Sequence, residues 1–262
     1  GFAALSMLLP FVWMLSTSLK HPGNIFLLPP QWIPNPLRWQ NYADLFKELP
    51  FHLFFVNSLK IAALVVLGQL LSCSMAAFAF ARVRFPGREA IFAVLLATMM
   101  VPYHVTLIPI FIIMKTLGWL DSHLPLTVPA FFGGAFGTFF LRQFFLNLPQ
   151  DFVDSARIDG ARFFGIYWRI FLPLAKPALA TLAIFSFMGS WNSLIGPLIY
   201  VNSIPKMTLT LGLALLRGGQ QSPGRYTLVM AGAMISVVPM LLLFFSAQRY
   251  FVQGVIRSGL RA

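Results

Sequence analysis

The sequence predicts an all-α fold: a polytopic membrane protein with six transmembrane helices and a charged, helical loop between the fourth and fifth. Three observations carry that prediction. Of 262 residues, 58% are hydrophobic and only 10% charged, with 28 Phe, too apolar for a soluble domain. Six stretches reach the roughly 20 mainly apolar residues that a helix needs to cross hydrocarbon. The seven carboxylates, Asp44, Glu48, Glu89, Asp121, Asp151, Asp154 and Asp159, all fall between those stretches or at their ends, as the cost of burying charge in lipid demands.

In chain order, the first span is placed at 1–19. It opens directly in an apolar run, without an initiator Met or a basic flank, so no cleavable signal peptide is visible and the natural N-terminus is expected upstream. Residues 20–52 form the longest connection. Pro22, Pro29, Pro30, Trp32, Pro34, Pro36 and Trp39 predict an ordered interfacial loop, since indole favours the headgroup level. The second span, 53–80, carries Ser72, Cys73, Ser74, Ala76, Ala77 and Ala79, small side chains that let another helix approach closely. The third is placed at 89–114 and the fourth at 124–146, where Gly133 and Gly137 have GxxxG spacing and read as packing within the chain. The fifth covers 174–200. The sixth, 226–248, again has a small-residue patch at Ala231, Gly232 and Ala233. No internal repeat or low-complexity tract divides the chain, so 1–262 is expected to be a single transmembrane domain.

Charge sets the expected orientation. If the first span runs outward, Arg82, Arg84 and Arg88 share one side with Arg142, Arg157, Arg162, Arg169 and Lys176 and with Arg249, Arg257 and Arg261 of the tail. These are more than half of the 19 basic residues. The positive-inside rule then puts residues 147–173 and both termini in the cytoplasm. The formal charge of +12 does not indicate nucleic acid, because the basic residues are scattered through short loops without a basic helix or aromatic-interleaved patch.

Several chemistries are excluded by what is missing. Neither a GxxxxGK[ST] loop nor a GxGxxG turn occurs, so the chain has neither common means of cradling a nucleotide. The lone cysteine, Cys73, allows no disulfide framework and no metal cluster. No Ser/His/Asp, Cys/His or paired-carboxylate arrangement assembles on one side of the membrane, so no catalytic residue is assigned. Ion-coupled carriers usually need ionisable groups within the membrane, and the carboxylates here lie outside it. Lys60 and Lys115 are near span ends and can snorkel to the interface. His104 lies about halfway along the third span beside Pro102, whose ring frees a backbone carbonyl. It reads either as a hydrogen-bonded structural histidine or as a translocation-pathway contact.

Residues 147–173 interrupt this apolar pattern. Asp151 can cap a helix, Asp154 supports its first turn, and both complement the positive end of the helix dipole. Phe152, Val153 and Ala156 offer an apolar side. Gly160 is expected to end or bend this helix, and a second helix, Ala161 to Phe171, is expected before Leu172-Pro173 turns into the fifth span.

This segment resembles the signature loop of ABC-importer permeases: Glu-Ala-Ala, three residues, Gly, nine residues, Ile, one residue, Leu-Pro. The matching positions are Asp154, Ser155 and Ala156, then Gly160, then Ile170, Leu172 and Pro173. Asp154 stands for the usual Glu and Ser155 for the usual Ala. Pro149, Ile158-Asp159-Gly160-Ala161, Trp191-Asn192, Pro197-Leu198-Ile199-Tyr200, Pro239, Gln248-Arg249-Tyr250 and Gly254 are similar to one branch, the carbohydrate-importer permeases of the maltose type, second six-span subunit. Ser193 stands where an aspartate commonly follows the Trp-Asn pair. The resemblance implies a non-catalytic permease in a bacterial or archaeal cell membrane. It also implies a second permease subunit, two cytoplasmic ATPase subunits that hold ATP and Mg, and an extracytoplasmic solute-binding protein. In that family the signature loop lies in a groove of the ATPase, which assigns ATPase coupling to Asp154, Ser155, Ala156, Asp159 and Gly160. Trp191 and Asn192 suit a sugar ring and its hydroxyls, and a Trp at that depth equally suits an interfacial anchor. The loop 201–225, with Gly218, Gly219, Gln220 and Gln221, is expected outside, toward the binding protein.

Overall fold

A computed structural model describes residues 2–218 and 223–259, with side chains described over 6–218 and 224–246. Gly219, Gln220 and Gln221 therefore lie outside the described residues, as do Arg261 and the side chains of Gln248, Arg249, Tyr250 and Arg257. Among the described residues every regular element is helical. In chain order these are α1 (Phe2–Ser18), α2 (Gln40–Glu48), α3 (Phe51–Arg82), α4 (Arg88–Ala97), α5 (Tyr103–Thr116), α6 (Leu124–Thr127), α7 (Ala135–Leu146), α8 (Asp151–Ile158) and α9 (Phe163–Ile166). A π-helix, Tyr167–Phe171, leads to α10 (Leu172–Leu174), α11 (Lys176–Trp191), α12 (Ile195–Tyr200), α13 (Leu209–Gly218) and α14 (Pro223–Gly259).

Among the described residues three stretches are long and apolar enough to cross a membrane unaided: Phe51–Arg82, Leu124–Leu146 and Gly224–Ser246. Two other apolar stretches are bent pairs. The expected third span, 89–114, is not one helix, because Arg88–Met100 meets Tyr103–Thr116 at 102°. Pro102 explains the break: it disfavours the helical region for the residue before it, and Val101 is extended at φ −81°, ψ 116°. The expected fifth span, 174–200, is corrected at both ends. Leu174 belongs to the stretch Phe163–Leu174, which meets Lys176–Trp191 at 79°. At the far end α11 stops at Trp191 and α12 starts at Ile195, where Pro197 lacks the N–H that would bond back to Ser193. The fourth stretch changes character at Gly133, whose φ of +90° is open to glycine alone at little cost. α1 is apolar but short, with Ser6–Ser18 its described apolar part.

The chain folds into two compact units, one built on the stretch up to Leu59 together with Asn192–Phe244, the other on Lys60–Trp191 together with the chain from Phe245 onward. In the first, the Pro-rich connection is ordered by buried polar bonds. The Asn41 amide donates to the carbonyls of Ser18 and Lys20, both at 2.8 Å, and the Ser16 hydroxyl to that of Trp32 at 2.6 Å. The Asn57 amide donates to Pro205 O at 2.8 Å and Met207 O at 3.0 Å, and Ser58 Oγ accepts from Leu209 N. Gly212 and Gly232 pack so tightly that an added Cβ would sit 2.2 Å from Phe54 and 2.6 Å from Leu213. Lys20 is 1% exposed, and its ammonium lies 3.8 Å from the centroid of the Trp13 ring. Burial pushes its pKa below the ordinary lysine value.

In the second unit, Cys73, Ala77 and Ala81 recur at every fourth position of α3 and are buried with Leu141 and Phe145 of α7, and with Ala178 and Leu182 of α11. Small residues decide this approach. A Cβ on Gly137 would meet Cys73 Sγ at 2.8 Å, and one on Gly68 would meet the Ala130 backbone at 3.0 Å. The Phe78 ring forms the hub, with centroids 5.0 Å from Phe171, 5.5 Å from Tyr167 and 6.3 Å from Phe145.

Candidate functional site

The loop 147–173 stands on this aromatic hub. α8 carries Asp151 and Asp154 in its first turn and Arg157 in its last, charges that oppose the helix dipole at both ends. Asp151 does not cap, contrary to the expectation above. Gln150 holds that position with helical dihedrals, φ −68° and ψ −27°, and makes no side-chain cap bond. Asp151 is thereby already inside the first turn, where its carboxylate acts through charge. Ser155 Oγ donates to Asp151 O at 2.6 Å, and the Gln150 amide donates to Asp154 Oδ1 at 3.3 Å.

The C-terminus of α8 is closed by a Schellman motif. Gly160 N donates to Arg157 O at 3.0 Å and Ala161 N to Ala156 O at 2.9 Å, with Gly160 at φ +80°. Any other L-residue except Asn or Asp would cost roughly 1–2 kcal/mol there. A Cβ at Gly160 would meet nothing within 4 Å, so its surroundings within this chain are open. The second helix starts at Phe163 rather than Ala161, because this cap and the extended Arg162 (φ −78°, ψ 156°) occupy the turn. It also runs past Phe171 to Leu174 through the π-helix.

The five residues assigned to coupling thus share one helix and its cap, but not one face. Val153 and Ala156 are buried in the hub, while Asp154, Ser155, Asp159 and Gly160 are exposed. Ile158, which was not among the five, is 87% exposed at the same tip. A large apolar side chain in that setting is a candidate for insertion into a partner groove. Its signal in the sequence was an isoleucine on the charged side of an otherwise amphipathic helix.

A second residue that local reading did not reach is Arg82, at the end of α3. Its guanidinium donates to Phe145 O at 2.6 Å, and also to Leu148 O and to Gln150 Oε1. It lies 5.3 Å from the Phe171 ring centroid, and Asp154 is the carboxylate whose charge acts on it. Nearby, Arg142 pairs with Glu89 at 3.1 Å and lies 4.1 Å over Phe92. On the returning limb the Tyr167 and Ser74 hydroxyls share a buried 2.8 Å bond. Both limbs are therefore bound to α3.

The three proposed pathway residues have different settings. His104 is exposed in the first turn of α5, not midway along a helix, its ring 5.8 Å from that of Tyr103. Trp191 is 3% exposed at the end of α11, stacked on Phe187 at 5.4 Å. Asn192 is exposed just beyond it. Among the described residues no group of three or more His, Cys, Asp or Glu side chains is placed to hold a metal ion.

Residues 68–257 match the family described as binding-protein-dependent transport system inner membrane component. The arabinooligosaccharides transport system permease protein AraQ of Halalkalibacterium halodurans is 34% identical over 87% of this chain and 81% of its own length. The diacetylchitobiose uptake system permease protein NgcG of Streptomyces coelicolor is 33% identical over 97% and 84%. The sn-glycerol-3-phosphate transport system permease protein UgpE of Yersinia enterocolitica is 31% identical over 89% and 85%. A chain of a bacterial ABC transporter involved in the import of the acidic polysaccharide alginate superposes with a TM-score of 0.87 at 24% identity, covering 96% of this chain and 93% of that one; it shares the fold. An ion-coupled carrier is set aside by these matches. The chain belongs to the binding-protein-dependent transport family of inner membrane permease components.

Proposed function

We propose that this chain forms one side of the translocation pathway of an ATP-driven importer for a sugar or oligosaccharide. On this reading it crosses the membrane six times with both termini in the cytoplasm. It works beside a second permease chain, two ATPase subunits that hold ATP and Mg, and an extracytoplasmic solute-binding protein. AraQ and NgcG support the solute class. UgpE supports a second reading, a phosphorylated polyol.

The observation that carries the mechanism is the exposed tip of α8 on a rigid base. Asp154, Ser155, Ile158, Asp159 and Gly160 are exposed, while Arg82 and Tyr167 bind the limbs to α3. ATPase closure pushes α8, and the bound helices turn as a body to exchange inward-open for outward-open states. Gly160→Trp in the assembled transporter tests this. Uptake should be lost, and ATP hydrolysis should no longer respond to the loaded binding protein. Gly160→Asn, which accepts the left-handed backbone, should keep most uptake. Wild-type uptake by the Trp variant rejects α8 as the coupling element.

A further inference from the structure

The stretch Phe163–Leu174 meets Lys176–Trp191 at 79°. If the latter crosses the bilayer with an ordinary tilt, the former lies nearly along the membrane surface. One of its faces is already occupied, with Ile166, Tyr167 and Phe171 no more than 3% exposed in the aromatic hub. The other presents Phe164, 68% exposed, and Trp168, 55% exposed, stacked at 6.4 Å with 16° between their planes. Aromatic side chains at this depth anchor helices at the headgroup level.

Beside that pair lies a cavity of about 390 Å³ whose lining includes Arg162, Phe164, Gly165, Trp168 and Arg169. A Cβ on Gly165 would meet nothing within 4 Å, so its floor is open. No carboxylate lines it. Among the described residues neither Arg162 nor Arg169 forms an ion pair; Arg84, Arg157 and Arg217 share that state, and what sets Arg162 and Arg169 apart is that both line one cavity. Two unpaired guanidiniums suit a phosphodiester, which accepts paired N–H donors, and the adjoining stacked rings suit the start of an acyl chain.

We propose that this cavity binds the phosphate headgroup of an anionic phospholipid of the cytoplasmic leaflet, fixing the returning limb of the loop to the bilayer surface. The proposal rests on the cytoplasmic placement of residues 147–173. The bound lipid keeps the amphipathic stretch in the surface plane as it turns together with α8 and α3.

The test uses the assembled transporter in nanodiscs of phosphatidylcholine doped with phosphatidylglycerol, with native mass spectrometry counting retained phosphatidylglycerol. Arg162→Gln with Arg169→Gln should weaken retention on the order of tenfold to thirtyfold, in line with the surface attraction lost per basic residue, and leave phosphatidylcholine retention unchanged. Arg162→Lys with Arg169→Lys should lose only a few-fold and serves as the folding control. Unchanged phosphatidylglycerol retention in the Gln variant overturns the site. So does competition by inorganic phosphate alone, which would mark a free-anion site. Loss of ATPase subunits from the Gln variant with lipid retention intact would instead mark a protein-docking surface. Placement is read separately, by labelling Trp168→Cys with an impermeant thiol reagent from either side, since the natural Cys73 is buried. Labelling from outside sinks the cytoplasmic assignment, whereas labelling from inside with unchanged lipid retention sinks only the lipid site.

Discussion

Arg82→Ala should loosen α8 without unfolding the chain. The guanidinium donates to two backbone carbonyls, Phe145 O and Leu148 O, and to the side chain of Gln150. A hydrogen bond to a charged group contributes roughly 1.5–3 kcal/mol, and a buried acceptor left unpaired costs about 1–3 kcal/mol. These bonds are part-buried or exposed, so water replaces part of the loss. The net local effect is about 2–4 kcal/mol, not the full sum. That corresponds to an increase of about 30- to 1,000-fold in opening of the loop root. Hydrogen exchange over 149–161 in the detergent-purified transporter should quicken by that factor, with the middle of α3 unaffected. Uptake per ATP hydrolysed should fall as the lever slackens. Arg82→Lys keeps the charge but not the fork and should fall between the two. Unchanged exchange over 149–161 in Arg82→Ala would refute Arg82 as the fastening of this loop.

Other perturbations test the packing. Tyr167→Phe removes the buried bond to Ser74 and should cost about 1 kcal/mol in a thermal melt, because the Ser74 hydroxyl keeps the Leu70 carbonyl; a loss above about 3 kcal/mol would contradict that. Gly137→Val drives a side chain into Cys73 and Leu182, already 2.8 and 3.1 Å from a bare Cβ. It should destabilise by about 1–3 kcal/mol, and a neutral result in the same melt would disprove close packing of α3 on α7. Lys20 has a folded-state pKa below the ordinary 10.5, so the unfolded chain binds more protons between those two values. Stability should therefore rise with pH across that window. Lys20→Met should abolish this slope in melts compared across alkaline pH, and an unaltered slope would assign it elsewhere.

Local signals in the sequence reached α8 and its end. Two acids in the first turn and a glycine in the cap position need only nearest-neighbour chemistry; the structure keeps Asp151 and Asp154 in that turn and Gly160 in the cap, although Asp151 sits one position inside the N-cap predicted for it. The break before Pro102 was legible from the same local rule, but the apolar run through Val101 obscured it. α2 was missed because Pro and Trp surround it, although Tyr42, Leu45 and Phe46 have helical spacing. Arg82 was not legible as a fastening, since its partners lie 63 to 68 residues away and an arginine after a span reads simply as an orientation signal. Burial of Trp191 likewise depends on what packs over it.

The π-helix Tyr167–Phe171 makes loop length a mechanical quantity. Each residue added to or removed from a helix turns everything beyond it by about 100° and shifts it by roughly 1.5 Å. Deleting one residue between Gly160 and Ile170 could restore ordinary helical winding, yet it would either present α11 to its neighbours on the wrong side or pull Tyr167 and Phe171 out of the hub. The nine-residue interval therefore acts as a gear tooth count. Side chains within it can vary widely where they face outward, while insertions and deletions there carry a phase error into the membrane.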